Sequence, residues 1–292
     1  MSAPPFAYYG GKTTLASRIA DVFPAHAHYV EPFAGSLAVL LAKRPAAMET
    51  VNDLDEHVMT FWRVLRDRPD DLMRVCALTP HSRAEYVAAR DLDSAPDDLE
   101  RARRVWVSLT QGRGGTLRTT GWRHFQDPAG RPTSSMPDYL TSYVERMRGA
   151  AARLANVSLE CRPALELIAA YGRHEDVLIY ADPPYLGSTR SSRMYRVEMS
   201  HPDEHAELAA ALHACRATVV LSGYSSPLYE QLYSTWHQVQ IPTYTGQGNH
   251  SEDRDAHRIE VLWSNRPIGH QMFDMAALAQ EAPTTPTEAG AA

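Results

Sequence analysis

Val177-Leu178-Ile179-Tyr180-Ala181, followed at once by Asp182-Pro183-Pro184-Tyr185, decides how this chain folds. An apolar run bounded by a charged segment and a proline pair reads as a buried, parallel strand. In open α/β sheets ligands gather at the carboxyl ends of such strands, so the tetrad stands where chemistry is done. Its residue types suit alkylation of an exocyclic nucleobase amine, whose lone pair is delocalised into the ring. The Asp182 carboxylate and a backbone carbonyl before or within the proline pair can accept the two amino hydrogens and draw that lone pair toward sp3 character. The prolines have no N–H and fix the backbone so that its carbonyls point into the site. Tyr185 offers a face on which an extruded base can stack. Asp-Pro-Pro is also an ordinary way to end a strand and open a turn, so the tetrad needs support from the rest of the chain.

That support begins at His28-Tyr29-Val30-Glu31-Pro32-Phe33-Ala34-Gly35-Ser36, a strand running into a glycine turn, with the apolar helix 37–42 behind it. Strand, glycine turn and helix form the cofactor-binding geometry of nucleotide folds, where glycine lets the backbone approach the ligand. About 18 residues on, Val51-Asn52-Asp53-Leu54-Asp55 reads as a second strand ending in carboxylates. That is the spacing at which an acidic side chain takes the ribose hydroxyls of an adenosine cofactor.

Two other motifs invite rival readings. Gly10-Gly11-Lys12-Thr13 resembles the end of an NTPase phosphate loop, but that loop needs a glycine where Phe6 stands and a strand before it. His201-Pro202-Asp203-Glu204-His205 matches a zinc-peptidase pattern. Pro202 disfavours helical geometry at His201, and Ser200 with Asp203 reads as a helix N-cap.

Taken in order, Tyr8-Tyr9-Gly10-Gly11-Lys12, Glu31-Pro32-Phe33-Ala34-Gly35-Ser36, Asn52-Asp53 and Asp182-Pro183-Pro184-Tyr185 resemble the Dam-type (D12 class) DNA adenine-N6 methyltransferases of bacteria and phages. Met199-Ser200 to Leu208, Val219-Val220-Leu221-Ser222-Gly223-Tyr224 and Arg258-Ile259-Glu260-Val261-Leu262-Trp263 extend the resemblance over nearly the whole chain. One departure is visible: the second glycine usual in the family's turn is replaced by Leu37. The resemblance implies S-adenosylmethionine as cofactor, held by Tyr8, Gly10, Gly11, Lys12, Glu31, Pro32, Phe33 and Gly35, with Asp53 on the ribose and Asp182 near the methionine end. It also implies that Asp182, Pro183, Pro184 and Tyr185 act on a flipped adenine in double-stranded DNA, with no metal. Cytosine-N4 methylation, an RNA or protein amine substrate, and a non-catalytic DNA-binding relative are the alternatives. The intact tetrad disfavours the last of these.

The net charge of −6 at first opposes DNA binding, which depends on neutralising phosphates. Its distribution answers the objection. Residues 101–153 hold Arg101, Arg103, Arg104, Arg113, Arg118, Arg123, Arg131, Arg146, Arg148 and Arg153 against Asp127, Asp138 and Glu145, whereas 67–100 are rich in acids. Trp106, Trp122, His124 and Phe125 interleave with the arginines around Gly112-Arg113-Gly114-Gly115. That suits a loop tracking phosphates and reaching base edges, with Arg113, Arg118, Arg123 and Trp122 as the expected DNA contacts.

Strands near Tyr29, Val51, 157–161, 177–180, 219–221, 239–244 and 258–263, separated by amphipathic helices, predict a Rossmann-like, doubly wound, mostly parallel sheet with an antiparallel edge hairpin. Between the helix after Asp55 and Val157 lies an interruption of roughly ninety residues, too long for an ordinary connection. The expected organisation is a catalytic domain of 1–66 and 157–275, an inserted, mainly helical recognition domain of 67–156, and a disordered tail of 276–292. Cys76, Cys161 and Cys215 are isolated, no stretch is apolar enough to span a membrane, and no signal peptide is evident. A cytoplasmic enzyme is expected, a monomer with a dimer as alternative.

Overall fold

The computed structural model of the chain describes residues 2–124, 135–185, 199, 201–242 and 259–269. Arg131, Phe125, Ser200, the turn at 246–248 and the tail 276–292 lie outside the described residues.

Seven strands form one sheet: β1 (His28–Glu31), β2 (Met48–Asn52), β3 (Ser158–Glu160), β4 (Val177–Ala181), β5 (Thr218–Tyr224), β6 (His237–Pro242) and β7 (Ile259–Ser264), in the order β3-β2-β1-β4-β5-β7-β6. The first five are mutually parallel, and β7 runs antiparallel to both β5 and β6. The chain leaves β1 toward β2 and β3, then returns to place β4 on the opposite side of β1. This reversal opens a crevice between the carboxyl ends of β1 and β4, the place where doubly wound sheets bind ligands.

All five residues of β4 are buried, as its unbroken apolar run requires of a strand covered on both faces. Leu178 and Tyr180 face one core with Tyr29, Val51 and Val220, while Val177, Ile179 and Ala181 face the other with Val30, Val219 and Trp263. Truncating Leu178 to Ala would cost about 2–5 kcal/mol. The edge strand β6 exposes His237, Gln238 and Gln240, the polar facing expected of an unpaired edge. Because its first residues are polar, apolarity alone placed this strand at 239–244, two residues late.

The described residues between 56 and 154 contain five helices, α3 (Glu56–Asp67), α4 (Pro69–Ala77), α5 (Arg83–Ala89), α6 (Asp98–Gln111) and α7 (Met136–Leu154). Short polar side chains start α3, α6 and α7: Asp55 accepts from the His57 N–H, Asp97 from the Glu100 N–H, and Ser135 with Asp138 forms a capping box. Leu72, Val105, Trp106 and Met147 from these helices share one apolar cluster with Tyr29, Leu40 and Leu178. Glu49 of β2 also receives the guanidinium of Arg153 on α7 and, at 2.7 Å, the ammonium of Lys43. Among the described residues no helix is long and apolar enough to cross a membrane.

Candidate functional site

The first strand end carries the turn that shapes the site. Gly35 has φ +45°, and a Cβ there would lie 3.1 Å from the Tyr8 ring, so the turn needs glycine for both conformation and space. Two residues on, Leu37 adopts φ 53°, ψ 29° at the start of α2 (Ala38–Ala42). The residue that replaces the expected second glycine therefore keeps a left-handed backbone, while its side chain is fully buried. Asn52 explains why the second strand ends as it does. Its Nδ2 donates to the carbonyls of Pro32 and Arg162, and its Oδ1 accepts from the Arg162 N–H, tying three strand ends together. Asp53 accepts from the N–H groups of Gly35 and Asp55, both at 2.9 Å.

Between these turns and the end of β4 lies a cavity of about 240 Å³. All of Tyr8, Gly10, Gly11, Lys12, Glu31, Pro32, Phe33, Gly35, Asp53 and Asp182 line it, together with Pro184, whereas Pro183 and Tyr185 are not among its lining residues. The sequence reading missed Pro163, Ala164 and Leu165 after β3, and Glu204, Glu207 and Leu208 on α9 (Pro202–His213). The first three follow a parallel strand end, a signal that could have found them. Nothing in the spacing of the α9 residues marks them.

Burial pushes the Glu31 carboxyl up to about 8, although the Tyr29 hydroxyl donates to it at 2.8 Å. Burial likewise pushes Asp53 up to about 6, against the two N–H bonds it accepts.

Lys12 is the hub of the site. Its ammonium, 5% exposed, donates to Asp182 Oδ1 at 2.6 Å and Oδ2 at 2.9 Å, to the Gly10 carbonyl at 3.2 Å and to the Tyr185 hydroxyl. Burial opposes its charge, but the Asp182 and Glu260 carboxylates more than offset this and hold the ammonium above the ordinary lysine range. Asp182 is itself raised by burial, despite Lys12 beside it. The Tyr185 ring stacks on Tyr224 with centroids 4.6 Å apart. Lys12 thus points at carboxylates, the opposite of a phosphate-loop lysine.

The zinc-like pattern on α9 is also accounted for. The N-cap is His201, one residue later than expected, with Glu204 at its third position reaching back to the His201 N–H at 2.9 Å. His205 is buried, its ring bonded to the Tyr229 hydroxyl at 2.9 Å and the Met199 carbonyl at 3.0 Å. Both nitrogens serve packing. Elsewhere among the described residues, Glu56, His57 and Asp93 each bring one possible ligand atom within 4.8 Å of the others.

Much of the arginine excess in 101–153 is neutralised within the molecule. Arg103 and Arg104 pair with Glu100, Arg101 with Asp98, Arg148 with Asp70 and Arg153 with Glu49. Arg113 and Arg118 are exposed on the loop after α6, where Gly112 and Trp122 form an antiparallel bridge. Gly115, at φ +61°, seats this loop on the segment leading to Lys12: its carbonyl accepts from the Tyr9 N–H at 2.7 Å, and a Cβ would lie 2.9 Å from the Ala7 carbonyl oxygen. Arg123 lies over the Tyr139 ring and donates to the Tyr139 hydroxyl, and Trp122 stacks with His81 and His124 under Arg83. These two expected DNA contacts are therefore engaged by the protein's own side chains.

Comparison with known proteins agrees with this arrangement. The chain is 26% identical over 263 residues to the Type II methyltransferase M1.LlaDCHI of Lactococcus lactis subsp. cremoris, covering 84% of this chain and 89% of that protein. The family described as D12 class N6 adenine-specific DNA methyltransferase matches residues 8–245, which contain the Lys12 hub, both strand-end turns and the Asp182 tetrad. A chain with that match across its whole cavity belongs to the D12 class and is an adenine-specific DNA methyltransferase.

Proposed function

We propose that the cavity binds S-adenosylmethionine and that Asp182, with the backbone of Pro183 and Pro184, acts on an adenine flipped out of duplex DNA. The observation that carries this reading is the Asp182 carboxylate at the end of β4, lining the cavity beside β1 in the crevice of the sheet. The donor set suits that cofactor. Asp53 at the second strand end fits the ribose hydroxyls, Phe33, Val39 and Leu165 supply apolar walls for an adenine ring, and Glu31 and Asp182 suit the cationic methionine end.

When bound, S-adenosylmethionine supplies a sulfonium methyl whose carbon–sulfur bond breaks with both electrons going to sulfur, so the acceptor needs positioning more than activation by a metal. Asp182 accepts an N–H of the adenine amine and is the base that takes the proton shed by the methylated nitrogen. The carbonyls held by the proline pair accept the other hydrogen. Tyr185, braced on Tyr224, presents its ring to the flipped base. The loop 112–122 in the helical segment 67–156 docks the duplex through Arg113 and Arg118, with Arg123 and Trp122 shaping it from behind. The target is one defined DNA site, as the Type II name of the relative suggests, and the protein works as a cytoplasmic monomer.

Asp182→Ala should lower methyl transfer a hundredfold or more, about 3 kcal/mol of transition-state stabilisation. Nucleoside mass spectrometry of plasmid DNA methylated by each protein measures this directly. Wild-type levels of N6-methyladenine from the folded variant would remove Asp182 from the chemistry, and N4-methylcytosine in place of it would reassign the target base.

A further inference from the structure

Asp182 does not hold Lys12 alone. Glu260 lies on β7 opposite Tyr224 of β5, 1% exposed, beyond the residues that the family matches. Its Oε1 accepts the Ser222 hydroxyl at 2.6 Å and stands 3.4 Å from the Lys12 ammonium. One cation therefore faces two carboxylates, of which Asp182 opens on the cavity and Glu260 does not.

This arrangement bears on how Asp182 becomes available. Lys12 engages both Asp182 oxygens. An entering amine that donates to Asp182 competes with Lys12 for the charge of one carboxylate, and each further hydrogen bond that the carboxylate accepts weakens its hold on the ammonium. A buried ammonium that loses a carboxylate and finds no other is strongly disfavoured. Glu260, already within 3.4 Å and fixed by Ser222, is the other carboxylate.

We propose that Glu260 is a positioning residue for methyl transfer: it takes over the Lys12 ammonium when the target amine claims Asp182, so that Lys12 pivots between two carboxylates without leaving the cluster. No covalent bond changes and no proton is gained or lost. One Lys12 N–H moves from Asp182 to Glu260, and the amine N–H replaces it. The proposal rests on Asp182 as the amine acceptor.

Glu260→Gln tests it. The amide oxygen can still accept from Ser222, and removing one of two anions leaves Lys12 and Asp182 as a neutral pair, so the protein should fold. Single-turnover methylation of duplex DNA with radiolabelled S-adenosylmethionine should slow at least tenfold, while calorimetric affinity for S-adenosylmethionine changes less than threefold. Glu260→Asp, which keeps the charge and loses the shape, should be faster than Glu260→Gln. A role in packing alone predicts the reverse order, and that order, or a wild-type rate for Glu260→Gln, overturns the proposal. Asp182→Asn measured alongside separates the two ideas. If it is inactive while Glu260→Gln is not, only the pivot fails; if it keeps the wild-type rate, the acceptor assignment beneath the pivot fails, and the pivot with it.

Discussion

Asp53 at the end of β2 accepts the Gly35 N–H at 2.9 Å, so the carboxylate expected to read a ribose also fastens the turn that follows β1. Its other oxygen holds the Asp55 N–H, while helix α3 is capped separately by Asp55. Asp53→Ala should therefore have two consequences. Loss of the acceptor leaves two N–H groups without their partner, costing about 1–3 kcal/mol of stability, and it removes a charged hydrogen bond to the donor worth about 1.5–3 kcal/mol. Calorimetric titration with S-adenosylmethionine beside thermal unfolding checks both. A variant that melts lower but binds as tightly as wild type would leave Asp53 as a turn fastener only.

Glu31 makes the stability of the ligand-free protein depend on pH. Its folded carboxyl is raised by burial from 4.5 to about 8, so between those values the folded state keeps a proton that the unfolded state has released. The contribution to stability from this group is full below about pH 4.5 and falls as pH rises toward 8. Glu31→Gln keeps an acceptor for the Tyr29 hydroxyl and cannot ionise. The variant should match wild type near pH 4.5 and exceed it by up to about 4 kcal/mol at pH 8. Urea unfolding of the two proteins across that range gives the difference, and curves that stay parallel would mean that Glu31 ionises in the folded state without penalty.

Leu37 offers a test in which the usual order of two substitutions inverts. Within a helix Ala is preferred over Gly by about 1 kcal/mol. At φ 53° the left-handed backbone disfavours any residue with a Cβ by about 1–2 kcal/mol, and Leu37 tolerates it because its side chain is wholly buried. Both Leu37→Ala and Leu37→Gly should destabilise by about 2–5 kcal/mol through lost packing. Leu37→Gly should nevertheless be the more stable of the two by about 1 kcal/mol. If Leu37→Ala proves more stable in denaturant titrations, the left-handed turn is not preserved.

The legibility of the molecule follows the range of its interactions. The run from Val177 to Ala181 and the Asp182 tetrad were readable because burial on both faces leaves an uninterrupted apolar stretch that a proline pair must end. The glycine turn was readable because the positive φ of Gly35 favours glycine. The conformation of Leu37 was not, since nothing local tells a buried leucine from one paying for strain. Glu260 and Ser222 entered the sequence reading only inside two strand segments and without a role, because their meaning depends on Lys12, which only the assembled fold brings beside them. The arginine count overstated the DNA surface for the same reason: whether an arginine meets a phosphate or Glu100 depends on helix packing that composition does not carry.

That distinction among the arginines leads to the last expectation. Arg113 and Arg118 are exposed on a loop whose Gly115 is seated against residues 7–9, just ahead of Lys12, so a duplex held there would lie beside the cavity. If either arginine grips a phosphate, its replacement by Ala should weaken binding to all sequences alike and reduce the salt dependence by about one counterion in slope. If it reads a base edge instead, the replacement should cost about 1–3 kcal/mol on the preferred site and relax discrimination at one base pair. Arg148, exposed but paired with Asp70 across α4 and α7, is the control, and Arg148→Ala should leave affinity and slope unchanged. Fluorescence anisotropy on matched and mismatched duplexes over a salt series separates these outcomes. If Arg113→Ala and Arg118→Ala behave like the control, the duplex does not dock on this loop, and the recognition surface must lie elsewhere on the helices.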